Sequence, residues 1–116
     1  MRAGFIPLLI CLMGLTGHLA WATTGNDLLD ICQIAATDAP NGNLEVAKAM
    51  QCQGFVEAIV RVGRRLSENR FCAPDGVTVG QAIRVLVKYL HENPEQTHQG
   101  SDRLAIAAFE RAWPCN

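Results

Sequence analysis

Cysteine is the residue whose type and spacing say most about this chain's chemistry. The 116 residues carry five, at positions 11, 32, 52, 72 and 115. Thiol pairs of this kind serve redox exchange, zinc binding or disulfide stapling, and the spacing separates the three. No Cys-x-x-Cys occurs, and a zinc site would have to recruit His91 and His98 beside cysteines twenty or more residues apart, unlike the clustered ligands of structural zinc. Neither a metal nor a cofactor is therefore expected. Glu92 and Glu95 stand three residues apart among those histidines and could serve acid–base work, yet a polar connector between helices produces such a cluster for solubility alone. After the first twenty-two residues only Ser67 and Ser101 remain as serines, and no hydrolase motif surrounds them. Binding or structure is favoured over catalysis, so the chain is read as no enzyme. Arg61, Arg64, Arg65 and Arg70 could grip an anion. Glu57 lies four residues before Arg61, Glu68 is near Arg64 and Arg65, and cations suit a helix C-terminus, so a solvated helix face accounts for them.

The compartment follows from residues 1–22, MRAGFIPLLICLMGLTGHLAWA. One positive charge at Arg2 precedes an apolar stretch from Phe5 to Leu19, and Ala20-Trp21-Ala22 closes it, which is the pattern of a secretory signal peptide cleaved after Ala22. Pro7, Gly14, Gly17 and His18 interrupt a stretch already shorter than the ~20 apolar residues of a spanning helix, so no stable membrane insertion is expected. A lipid anchor at Cys11 is disfavoured by the bulky Ile10 before it. Removal of the leader leaves a single domain, 23–116, with nine basic and eleven acidic residues and a net charge of −2. That balance argues against nucleic acid as a partner. Four cysteines remain, an even number in a small exported domain, and read as two disulfides.

Helical periodicity runs through the whole of that domain, and no segment alternates as a strand would. Asn26 is the expected N-cap of a first helix near 26–36, with Leu28, Leu29 and Cys32 on one face. The turn-forming run 37–43, which contains Asn41-Gly42, separates it from a long helix over 44–68, whose apolar side is Cys52, Phe55, Val56, Ile59, Val62 and Leu66. Pro74-Asp75-Gly76 makes a tight turn, and Thr78-Val79-Gly80-Gln81 opens a third helix with a capping-box pattern. Val79, Ala82, Ile83, Leu86 and Leu90 form its stripe, and Pro94 ends it. The polar connector 91–100, HENPEQTHQG, leads to a fourth helix capped by Ser101-Asp102, with Leu104, Ala105, Ala108, Phe109 and Ala112 as its stripe. The fold class is all-α: a small four- to five-helix bundle.

Antiparallel neighbours joined by short turns reverse direction, which ranks the three possible cysteine pairings. Cys72, just after helix two, and Cys115, just after helix four, fall at the same end and pair. Cys32 then pairs with Cys52, across the turn-rich loop. Each bridge is worth about 3–4 kcal/mol by loop-closure entropy, which matters to a domain that buries only a little over ~60% of its unfolded surface. Gly54 needs its own explanation, since glycine inside a helix costs about 1 kcal/mol relative to alanine. With Ala58 it forms a notch of small residues, suited to close approach of another helix within the monomer or across a homodimer.

Taken together, Cys52-Gln53-Gly54-Phe55, Phe71-Cys72-Ala73-Pro74-Asp75-Gly76-Val77-Thr78-Val79-Gly80-Gln81, Val87-Lys88-Tyr89-Leu90, Asn93-Pro94-Glu95, His98 and Trp113-Pro114-Cys115 form a composite pattern. It resembles the Rap/Tai family of type VI secretion amidase immunity proteins from Asn26 to Cys115. Two departures are small: Ala58 where the family often has glycine, and Trp113 where phenylalanine is common. The resemblance implies a disulfide-stapled periplasmic helical protein, commonly a homodimer. Such a protein binds a secreted peptidoglycan amidase and blocks its Cys-His active site. The connector is the candidate contact, with His91, Glu92, Asn93, Glu95, Gln96 and His98 offering hydrogen bonds; the alternative is an ordinary solvated loop that ends helix three. Tyr89, Phe109 and Trp113 are read as core. Shared scaffold residues do not transfer a ligand, so a periplasmic helical chaperone and a ligand-binding or structural module without a toxin partner stay as rivals.

Overall fold

Helix one is capped two residues earlier than Asn26. In the computed structural model, which describes residues 24–37, 39–65 and 70–116, α1 spans Gly25–Ala36 and its N-cap is Thr24, not Asn26. The Thr24 hydroxyl oxygen accepts from the Asp27 amide at 3.3 Å, and the Asp27 carboxylate accepts from the Thr24 amide at 3.0 Å. This reciprocal box satisfies two amides that a helix start otherwise leaves unpaired. Asn26 sits inside the first turn, where its amide is used by the connector described below. Residues 1–22, read above as a leader, and Leu66, Ser67 and Glu68 lie outside the described residues.

The second helix, α2, spans Gly42–Gly63 and is shorter than its periodicity suggests. Cys52, Val56 and Gly63 are buried, Phe55, Ile59 and Val60 are partly buried, and Val62, expected in the core, is 53% exposed. The reason is Phe71: its ring lies so close over Gly63 that even a methyl group there would overlap it. Glycine thus takes the core position of the last turn, and Val62 is rotated outward. The following turn is as expected, with Gly76 at φ +89° and the Val77 amide donating to the Pro74 carbonyl at 3.4 Å.

The third helix, α3, spans Val79–Glu92, with Thr78 as N-cap accepting from the Gln81 amide at 3.1 Å. A single 3₁₀ turn, Pro94–Gln96, leads to α4, Ser101–Ala112. Gly100 is the N-cap of α4, so Ser101, expected as the cap, is instead its buried first residue. No strand occurs among the described residues; Thr24 and Gly100 form one isolated antiparallel bridge.

The four helices pack around one core: Leu28, Ile31 and Cys32 from α1, Cys52 and Val56 from α2, Ala82, Ile83, Leu86 and Leu90 from α3, and Leu104, Ala105, Ala108 and Phe109 from α4. Phe71 joins it from the α2–α3 connection and meets Phe109 edge-on at 5.3 Å between ring centres, with Trp113 stacked on Phe109 at 5.5 Å. Each fully buried Leu or Phe stabilises by about 1.5–3 kcal/mol. Both disulfides pair as the antiparallel geometry requires, Cys32 with Cys52 and Cys72 with Cys115.

Candidate binding surface

The connector 93–100 is a strap and not a free loop. Thr97 and Gln99 turn their carbonyls toward the start of α1, where the Asn26 amide donates to Thr97 O at 2.9 Å and the Gly25 amide to Gln99 O at 3.0 Å. Gly25 is required here, because a methyl group in its place would overlap Leu104 and crowd the Thr97 backbone. Thr97 itself is buried, and its hydroxyl donates to the Pro94 carbonyl at 2.9 Å. Backbone amides that a helix N-terminus leaves unsatisfied thus hold the strap in place.

The six residues singled out in this stretch divide by role. His91, Glu92, Glu95 and His98 are exposed. Asn93 is half-buried and ends α3: its Nδ2 donates to the Tyr89 carbonyl at 2.8 Å, and its backbone amide donates to the same oxygen at 3.1 Å. Gln96 is also half-buried; its Oε1 accepts from the Tyr89 hydroxyl and its Nε2 donates to Glu95 Oε1, each at 3.4 Å. Asn93 and Gln96 therefore shape the strap from beneath while the other four face outward. Tyr89 and Trp113 are half-buried rather than core, and only Phe109 is fully enclosed.

Glu92 faces a different neighbour from Glu95. Its carboxylate lies 3.8 Å from Lys88 Nζ and 4.0 Å from Arg111 Nη1, on the rim of a shallow groove of about 280 Å³ between α3 and α4. Val85 and Tyr89 line one wall, and Ala108 and Ala112 the other. The sequence reading missed this groove. Its signal was present: two alanines four residues apart on α4 opposite two larger side chains four residues apart on α3 leave a channel when the helices pack.

Gly54 and Ala58 are exposed on α2, and no atom of another element lies within 4 Å of where a Gly54 methyl group would stand. The intramolecular half of the notch reading is therefore corrected: among the described residues, no other helix packs on Gly54. Among the described residues, the large hydrophobic side chains left exposed, Leu44 (72%), Met50 (66%), Val62 (53%) and Val46 (41%), all belong to the same helix. The arginines are engaged singly: Arg61 with Glu57 at 2.5 Å, Arg70 with Glu110 of α4 at 2.5 Å, and Arg64 with the Pro74 carbonyl at 3.5 Å. No group of three or more His, Cys, Asp or Glu among the described residues could hold a metal ion, and none of their helices is long and apolar enough to cross a membrane.

A family model described as Rap1a immunity proteins matches residues 24–115. No curated protein and no solved structure matches the chain.

Proposed function

Because the chain belongs to the Rap1a immunity protein family, we propose that it is a periplasmic inhibitor that binds a peptidoglycan amidase delivered by type VI secretion, blocks its Cys-His active site and so protects the producing cell. The observation that carries this reading is the family match, which spans all the described residues except Asn116. In this reading residues 1–22 are a secretory leader cleaved after Ala22, and export to an oxidising compartment is what lets both cystines form.

His91 and Glu92, on the last turn of α3, and Glu95 and His98, on the strap whose backbone is already tied to α1, are the amidase contacts. A recognition segment ordered before binding loses less conformational entropy on association. Asn93 and Gln96 act through it, by holding its shape. A second copy of the chain covers the outer face of α2 at Gly54 and Ala58, a role supported by the exposed Leu44, Met50 and Val62 on the same helix.

The test is copurification of the oxidised chain 23–116 with the protein encoded beside it and with a panel of secreted Cys-His amidases, followed by an amidase assay. Stoichiometric binding with loss of amidase activity is expected. Joint replacement Glu92→Ala, Glu95→Ala and His98→Ala should weaken binding at least roughly tenfold, as loss of several charged and polar interface contacts does; unchanged affinity would remove the strap from the interface. A second reading, a helical chaperone, is favoured by one observation, the apolar surface of α2, and predicts suppression of aggregation of unrelated proteins without amidase inhibition.

A further inference from the structure

The two disulfides differ in what surrounds them. Cys32 and Cys52 have no exposed surface and lie in the core between α1 and α2. Cys72 and Cys115 are both exposed, and join the connection after α2 to the tail after α4. A shallow depression of about 240 Å³ opens beside Cys72, lined by Arg64, Phe71, Ala73 and Asp75. We propose that Cys72–Cys115 is a reversible thiol–disulfide exchange site open to dithiols, including the dithiol form of thioredoxin-fold oxidoreductases, in the folded protein, while Cys32–Cys52 is closed to them.

Exchange requires a thiolate to approach a sulfur along the S–S axis, so access decides which bond reacts. One sulfur of the dithiol bonds to a protein Sγ, the Cys72–Cys115 bond breaks, and the other protein sulfur leaves as a thiolate. The second sulfur of the dithiol then displaces the remaining protein sulfur. The dithiol leaves as a disulfide, two electrons pass to the protein, and its two protons end on Cys72 and Cys115.

The end of the bundle stays assembled when that bond opens. The Cys72 amide donates to the Trp113 carbonyl at 2.8 Å, Arg70 binds Glu110 at 2.5 Å, and Phe71 remains buried against Phe109. These contacts keep the two thiols near each other, so reoxidation regenerates the same pair. The buried bridge has no such route: a dithiol reaches it only after α1 separates from α2, which dismantles the largest packing contact of the bundle.

The oxidised, folded protein is exposed to limiting dithiothreitol, sampled over time into iodoacetamide and mapped by mass spectrometry, with helical circular dichroism followed in parallel. Cys72 and Cys115 should become labelled at least roughly tenfold faster than Cys32 and Cys52, as the difference in access requires, and before helicity falls. Simultaneous labelling of all four, earlier labelling of Cys32 and Cys52, or protection of Cys72 and Cys115 until helicity is lost would each overturn the proposal. A thioredoxin-fold protein with only its attacking cysteine supplies a second readout on the unmodified chain: a mixed disulfide through Cys72 or Cys115 is expected, and one through Cys32 or Cys52, or none, counts against it.

Discussion

The bridge between Cys32 and Cys52 closes a separation of 20 residues inside the core, whereas the bridge between Cys72 and Cys115 closes 43 at the surface. Loop-closure entropy alone ranks the second as the stronger staple, at about 4 kcal/mol against about 3. Burial reverses the order. The sulfurs of the inner bridge are fully buried in the core, and the outer bridge fastens chain that aromatic packing already holds. The unfolded chain thus sets only part of a disulfide's contribution, and the native surroundings decide the rest.

The largest effect should come from breaking the inner bridge. Replacing Cys32→Ala and Cys52→Ala together removes about 3 kcal/mol of loop entropy and leaves a void in place of two buried sulfurs, for a total of about 5 kcal/mol. Urea unfolding should show the loss; a cost smaller than that of the outer pair would reverse the comparison. Cys72→Ala with Cys115→Ala is expected to cost at most about 4 kcal/mol, with helical content retained at low temperature.

The glycines of α2 sharpen the contrast between its enclosed end and its open middle. Gly63→Ala forces a methyl group into the buried Phe71 ring and should destabilise by about 1–3 kcal/mol, as overpacking does. Gly54→Ala meets open space in the monomer and should stabilise it by about 1 kcal/mol through helix propensity. In dilute solution thermal melts read that difference directly. If a second copy does cover Gly54, the same substitution should lower dimer affinity in sedimentation while raising monomer stability. The smallest effect belongs to the N-terminal end: Thr24→Ala removes one half of the α1 capping box and should cost about 1 kcal/mol in the same melts.

Much of the fold was legible because its signals are short-ranged. The stripe Ala82, Ile83, Leu86, Leu90 repeats within a few turns, Thr78 meets its capped amide three residues on, and Gly76 sits where a turn needs positive φ. The cysteine pairing was legible as well, since helix direction and turn length place chain ends without reference to side chains. The cap at Thr24 was missed although its partner Asp27 was in view, because Asn26 is an equally good cap in isolation and only the strap's demand for the Gly25 and Asn26 amides selects between them. Val62 was expected in the core for a similar reason: that Gly63 takes its place depends on Phe71, eight residues beyond Gly63 and outside the helix.

The candidate surface was half legible. Glu95 and His98 lie in a polar connector, and His91 and Glu92, expected there too, form the last turn of α3; their polar composition alone places all four outside. That Asn93 and Gln96 work beneath the strap follows from their contacts with Tyr89, a turn or two away on α3. The spacing of Val85 and Tyr89 and of Ala108 and Ala112 hints at the α3–α4 groove only once the two helices are known to pack together, and no local pattern reports the Arg70–Glu110 pair.

The all-α class, the approximate ends of the helices, the sulfur pairs and the family were all written in the order of the residues. Those depend on hydrogen bonds and periodicities that span a few residues, or on a motif repeated along the chain. Only the tertiary structure decided which glycine is covered and which is bare, which disulfide is sealed, and where the strap is tied. Exposure is a property of what packs against a residue, and the packing partner comes from elsewhere in the chain.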